Sequence, residues 1–501
     1  MEGGEQMNLL NDSFHKYRDN IYIILPDIED EGLTYGQVNS LSAVFAGLLK
    51  MSDVVENDRV CIITGNKIQF IIAYFAILKL KAIPIAINIR LNVKEVGIQF
   101  NNCNPKKVVI LPTLFKKYSE LLTKKNTFLA PSLNDLKQWS LYNTDKGYET
   151  FPDRKDEELL TISYTSGTTG TPKGAMLKHN GWLRASKKYG ELLQLSEQTR
   201  IMQALPLWQA DGCIATVTLP VLHGSSVVLV EPFDEIIVNE YFSIVDKYRA
   251  NYLFTVPAIL SRLLLLAQDG NIKFHHNVKY AKVSSSVLLP EVKNKFQETF
   301  GIKVMENYGS TEGNAITVSD PNDDDNGSVG KITGICELKV NKKAELLIKN
   351  QEWFAGYYNN QEKTNEAFED GWFKMIDVVE IKRDYIYLLG RTDDIMNKFG
   401  EKISPSQIDD VIVQFESVYE SVTIGYKNEV YNDDIYSFIV LKNADKKIYS
   451  KEIEKKIIDF CSIKLPPHKV PTKVFIVDEI PVISSGKPDK KKLLELLKDR
   501  K

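Results

Sequence analysis

Two hydrophobic periods alternate along the chain. Short runs rich in β-branched residues at 108–111, 159–164, 226–230 and 279–283 predict strands. Between and after them, residues 66–81, 239–248, 258–267 and 291–300 space their apolar side chains as a helix does. Parallel strands can be joined only through a crossover, so this alternation predicts βαβ units with helices covering the sheets. No repeat of solenoid length interrupts it.

The pattern changes in the last third. A strand at 385–389 closes a smaller β-rich region over about 328–389, and Gly390-Arg391-Thr392-Asp393-Asp394 marks the best boundary. Beyond it come strand candidates at 422–425 and 435–441, a helix over 450–465, a strand at 474–477 and a lysine-rich tail. That remainder suffices for a small α+β domain. The expected organisation is therefore two domains, 1–390 and 391–501.

Composition narrows the function. Of 501 residues, 43% are hydrophobic and 26% charged, which excludes disordered and fibrous classes. Lysine and arginine (63) nearly balance aspartate and glutamate (66), so overall charge makes no case for nucleic acid or a membrane surface. The five cysteines are scattered and form no C-x-x-C, which argues against a disulfide framework or structural zinc and fits a reducing compartment. The longest apolar run, 70–78, is far shorter than the ~18–20 residues of a membrane span. The amino terminus lacks a signal layout, and a soluble cytoplasmic protein is expected. The acidic stretch 320–326 lacks EF-hand spacing and reads as a solvated loop.

Chemistry concentrates in Tyr164-Thr165-Ser166-Gly167-Thr168-Thr169-Gly170-Thr171-Pro172-Lys173-Gly174. A buried strand runs into a turn with three glycines, several hydroxyls and one lysine. Glycines let backbone N–H groups approach an anion, hydroxyls add donors, and lysine adds a mobile charge. Pro172 and Gly174 break the ordinary P-loop spacing, so this is a different phosphate loop.

At these residues the chain resembles the adenylate-forming superfamily of acyl- and aryl-CoA synthetases, luciferases and peptide-synthetase adenylation domains, and further motifs follow in that family's order. The resemblance implies an α/β fold: a large N-terminal domain of parallel-sheet αβαβα layers with a small β-barrel-like region, then a small mobile α+β domain. In Asn307-Tyr308-Gly309-Ser310-Thr311-Glu312-Gly313 it implies adenine stacking by Tyr308, an α-phosphate contact from Thr311 and Mg²⁺ held by Glu312. A carboxylate is a hard oxygen ligand suited to that ion. Asp377 matches a ribose ligand and Arg391 a second nucleotide contact, while Asp393 falls at the family's hinge. Lys487, in Ser484-Ser485-Gly486-Lys487-Pro488, matches the lysine brought to the carboxylate and α-phosphate, where negative charge gathers. Gly400 matches a glycine on the thiol side.

Two segments bear on the acid. Trp208, Gln209 and Asp211 lie where many relatives carry an aromatic-His pair, and Asp211 is two positions out of register for an amino-acid ammonium. Ser284, Ser285 and Ser286 replace glycines that often line the acyl pocket, so the pocket should be narrower or more polar. Other departures are Met375-Ile376 before Asp377, where Thr-Gly is usual and the tight turn is in doubt, and Ala344 in place of glycine.

The expected activity is ATP- and Mg²⁺-dependent ligation of a small carboxylic acid through an acyl-adenylate to CoA or a carrier protein's pantetheine thiol. The competing expectations are an impaired nucleotide-binding homologue acting as an assembly partner, and an enzyme that stops at acyl-AMP.

Overall fold

A computed structural model describes residues 8–26, 28, 31–142, 147–165, 172–233, 235–268, 277–322, 327–392, 394–398, 401–428, 432–442, 451–482 and 488–498. Its contacts divide the chain into two compact units. The first comprises residues 1–325, 329–337 and 349–371, and the second residues 326–328, 338–348 and 372–501.

Parallel sheets organise the first unit. In one, the strands run in the order Ile83–Ala86, Arg59–Ile63, Lys107–Ile110, Thr127–Leu129, all parallel. In the other, Lys303–Ser310, Tyr280–Val283, Tyr252–Thr255, Arg200–Gln203, Ser226–Leu229 and Ile21–Leu25 run parallel, with Asn314–Val318 and Glu31–Thr34 antiparallel on either side of that run. A third sheet, fully antiparallel, joins Phe354–Tyr357, Lys173–Lys178 and Leu159–Thr165. The helix Ile68–Lys79 explains the longest apolar run. Ile68 and every residue from Phe70 to Lys79 are buried, because its surroundings leave it no solvent face. Each large apolar side chain hidden this way contributes about 1.5–3 kcal/mol.

That helix also buries a lysine. Lys79 Nζ donates to Asn39 Oδ1 at 2.7 Å and to the Glu149 carbonyl at 3.1 Å, and it stands 4.1 Å above the Phe151 ring. Burial pulls its pKa from the ordinary 10.5 to about 7, against a weaker upward pull from Glu149. Between those two values the unfolded chain binds the extra proton, so this group makes stability rise with pH across that window. The expected slope is up to about 1.4 kcal/mol per pH unit. Urea midpoints for the protein and for Lys79→Met, followed from pH 7 to pH 10, should diverge by that slope. Parallel curves would refute it.

The second unit repeats the strand logic on a smaller scale. Leu338–Val340, Glu345–Ile348, Trp372–Lys382 and Tyr385–Arg391 form an antiparallel run. The β-rich stretch 328–389 is thus shared between the units, since Phe354–Tyr357 pairs with Lys173–Lys178 in the first. A five-stranded sheet follows, with Asn432–Leu441 antiparallel to Val418–Asn428 and parallel to Lys473–Ile476. Its two-residue period is visible in the packing. Ile435, Ile439 and Leu441 face the helices Pro405–Ile412 and Lys451–Lys464, whereas Tyr436, Phe438 and Val440 face Leu493 and Leu497 of Lys490–Lys498. Among the described residues no helix is long and apolar enough to cross a membrane.

Candidate active site

The parallel strands of the larger sheet present their carboxyl ends at one edge, where open α/β sheets bind ligands. Pairing of Val283 with Thr255 and with Glu306 brings Ser284 beside Asn307 at that edge.

The phosphate-loop motif sits on a hairpin, with Thr165 paired to Lys173 and Tyr164 to Gly174. Thr165 Oγ1 donates to the Lys173 carbonyl at 3.4 Å. Ser166, Gly167, Thr168, Thr169 and Gly170 lie outside the described residues, as do Asp393, Gly400 and Lys487. Lys173 Nζ stands 4.8 Å over the ring of Tyr357.

The second motif forms a hairpin. Asn307–Ser310 ends one strand and Asn314–Val318 returns antiparallel. Gly309 is required by closeness, since a Cβ there would fall 1.8 Å from the Asn314 carbonyl oxygen. Asn307 Nδ2 donates to the Thr317 carbonyl at 3.0 Å, and the Tyr308 N–H to Thr317 Oγ1 at 3.3 Å. Thr311 opens the connecting turn. Glu312 is buried there. Its backbone oxygen accepts from Asn350 Nδ2 at 2.7 Å and Trp353 Nε1 at 3.1 Å, and its Oε1 accepts from Tyr357 Oη at 2.8 Å. Burial, then the facing Glu312 carboxylate, push the Tyr357 phenol well up, so it keeps its proton and donates.

Tyr357 is therefore a site residue that the sequence did not announce. One side chain touches both the phosphate-loop lysine and the carboxylate of the second motif. The strand Phe354–Tyr357 holds it, and the Tyr357 N–H donates to Thr364 Oγ1 at 2.9 Å. The only local signal is a Gly-Tyr pair ending a short apolar run.

In the second unit, Asp377 and Arg391 are register partners on adjacent strands, with Arg391 Nε 3.5 Å from Asp377 Oδ1. The backbone before Asp377 is irregular within the strand Trp372–Lys382. Ile376 takes φ +63°, a left-handed conformation rarely seen for a β-branched residue. Thr392 fastens it, donating from N at 2.8 Å and from Oγ1 at 3.1 Å to the Ile376 carbonyl. Ala344 likewise holds φ +63° where glycine would be unstrained. Left-handed backbone costs an L-residue about 1–2 kcal/mol. After allowing for the greater entropy of an unfolded glycine, Ala344→Gly should gain about 0.5 kcal/mol or more, read from the urea midpoint. A loss would show that the Ala344 methyl supports the turn.

The acid-site candidates come together at the carboxyl edge. Trp208 is buried, its indole N–H finds no acceptor among the described residues, and Arg90 lies 5.9 Å over its ring. Gln209 precedes the short helix Ala210–Cys213, which carries Asp211. Asp211 accepts from Ser284 Oγ at 2.8 Å and Ser285 Oγ at 2.5 Å, while Ser286 is exposed beside them. Below them lies Lys282, another residue the sequence did not flag, 3.2 Å from Asp211 Oδ1. A lysine inside the otherwise uncharged strand Tyr280–Val283 was the available signal. Burial drives the Asp211 pKa up, but Lys282 and the two serines outweigh it and the net shift is downward. The Lys282 pKa is lowered by burial, with Asp211 resisting.

A parallel-stranded α/β unit with nucleotide-type motifs at its strand ends and a separate smaller unit defines an adenylate-forming architecture, and comparison with known proteins agrees. The AMP-binding enzyme model matches residues 10–358, and the AMP-binding enzyme C-terminal domain matches residues 407–487. The chain belongs to the AMP-binding enzyme family. It is 28% identical to a 2-succinylbenzoate–CoA ligase of Listeria innocua, over 92% of this chain and 94% of that protein. It is 27% identical to the probable CoA ligase CCL9 of Humulus lupulus, over 91% and 90%. Among solved structures, the anthranilate CoA ligase AuaEII with anthranoyl-AMP aligns over 98% of this chain and 97% of its own, at TM-score 0.87 and 22% identity. ATP-bound MatB from Rhodopseudomonas palustris aligns over 98% and 99%, at 0.84 and 23%. At such identities the structures speak for the fold.

Proposed function

We propose that the protein is an AMP-forming carboxylic acid–thiol ligase using ATP and, as acceptor, CoA. The carrying observation is the Lys173–Tyr357–Glu312 contact, which joins the two nucleotide motifs through one side chain. The relatives' names, all CoA ligases, support the reaction class. A substrate carboxylate attacks the α-phosphorus of ATP, the Pα–O bond to the leaving pyrophosphate breaks, and acyl-AMP forms. A thiol then displaces AMP from the acyl carbon to give the thioester. Residues 165–170 and Lys173 are assigned to the phosphates, Asn307, Tyr308 and Gly309 to the nucleotide with Tyr308 stacking on the base, Thr311 to the α-phosphate, Asp377 to the ribose and Arg391 to a second nucleotide contact. Lys487 serves adenylation, Asp393 the hinge at the 390/391 domain boundary and Gly400 the thiol side. Trp208, Gln209, Asp211 and Ser284–Ser286 form the acid site.

Mg²⁺ fits the donor set. Glu312 offers hard carboxylate oxygens, one of them held by Tyr357. When bound, the ion offsets charge on the phosphates. A carrier-protein pantetheine would present the same thiol as CoA, and a cytoplasmic setting suits the cysteine spacing. The positive φ kept at Ile376 and Ala344, where the family usually has glycine, supports the active-enzyme reading over an impaired homologue. ATP–pyrophosphate exchange over fatty, aryl and amino acids tests the reading. Acid-dependent exchange is expected; ATP binding without exchange for any acid would overturn it.

A further inference from the structure

The network under the acid site has an unusual proton inventory. Lys282 is 1% exposed and its ammonium donates to Asp211 Oδ1 at 3.2 Å and Ser284 Oγ at 2.6 Å, facing the Phe254 ring at 5.3 Å. Ser284 and Ser285 both bond Asp211 Oδ2. An ionised carboxylate only accepts, so both serine hydrogens must point to Asp211. The hydroxyl hydrogens of Ser284 and Ser285 and the charge of Lys282 are thus turned inward. What remains outward is lone pairs: those of the exposed Ser285 Oγ, and those of the Asp211 side chain, which is 26% exposed. Ser285 also holds φ +73°, a conformation free to glycine, and its bond to Asp211 offsets that strain.

Resting on the acid-site reading above, we propose that the acceptor ledge formed by Asp211 and Ser285 sets substrate choice and selects carboxylic acids bearing a second, hydrogen-donating group, a hydroxyl or amine. A hydroxyl or amine hydrogen completes the lone pairs that water otherwise satisfies. An alkyl chain laid there strips water from Asp211 and returns no hydrogen bond. A second carboxylate sets lone pair against lone pair and charge against Asp211, while Lys282 is already committed to its partners.

The test is pyrophosphate release from ATP with size-matched aliphatic and aryl acids that are unsubstituted, hydroxylated, aminated, methoxylated or carboxylated. Sites built to bond a substrate hydrogen reject analogues lacking it strongly, so the best donor-bearing acid should exceed its methoxy counterpart by roughly 100-fold or more in kcat/KM. Asp211→Leu combined with Lys282→Met removes both charges together and should bring that ratio to near unity. Ser285→Gly, which relieves the backbone, is the variant that keeps the test open if the double variant does not fold, and should lower the ratio roughly 10-fold. Highest activity with methoxy, alkyl or dicarboxylic acids, or a ratio unmoved by these substitutions, overturns the ledge but leaves the ligase reading standing. Absence of release with every acid overturns the ligase reading, and the ledge with it.

Discussion

Lys487→Ala is expected to reduce acid-dependent ATP–pyrophosphate exchange by roughly 10³-fold, comparable to losing a preorganised donor at a developing anion. In the adenylation step an anionic carboxylate approaches an anionic phosphate, and a compact ammonium between them offsets the repulsion most where the two are nearest. Lys487 itself lies outside the described residues, and only the residues on either side are described. Val482 and Pro488 form an antiparallel bridge, and the Asp489 N–H donates to the Pro481 carbonyl at 2.7 Å. Its lysine neighbours are engaged elsewhere. The helix begins at Lys490, whose Nζ lies 2.7 Å from Asp394, and Lys492 lies 3.8 Å from Asp489. The second half-reaction, thioester formation from supplied acyl-AMP and CoA, should fall less than about threefold because the phosphate charge is then on a leaving group already made. Equal loss in both half-reactions would remove Lys487 from the adenylation step.

Legibility in the sequence followed the range of the forces involved. The period-two alternation of 435–441 and the buried helix within 66–81 are local patterns set by burial, and both elements appear within a few residues of expectation. The motif residues Asn307 to Gly313 were legible as a group, but their hairpin was not, because it depends on Gly309 meeting Asn314 across strands. Ile376 and Ala344 show a different limit: a non-glycine residue put the backbone in doubt, and its positive φ, with Thr392 donating to the Ile376 carbonyl, depends on partners distant in the chain. Tyr357 and Lys282 were missed because their meaning comes from partners 45 and 71 residues away. A tyrosine or lysine inside an apolar run carries no local sign of what it will touch.

Tyr357 and Glu312 give the second large expected effect, and their coupling can be measured. Glu312→Gln keeps shape and hydrogen bonding but removes the charge that would face Mg²⁺, so adenylation should fall by roughly 100-fold or more. Tyr357→Phe keeps the ring under Lys173 and removes only the hydroxyl that fixes Glu312 Oε1. A hydrogen bond to a charged group contributes about 1.5–3 kcal/mol, so the Mg²⁺ concentration for half-maximal pyrophosphate release should rise roughly 10- to 100-fold. The KM for the acid should stay put, which a general loosening of the fold would not allow. The stabilisation of the protein by ATP with Mg²⁺, seen as a shift in Tm, should shrink in parallel without reference to turnover. If the tyrosine acts through the glutamate, adding Tyr357→Phe to Glu312→Gln should cost little more than Glu312→Gln alone. Fully additive losses would mean that the Tyr357 hydroxyl does not act through Glu312, since the ring under Lys173 is kept in every variant.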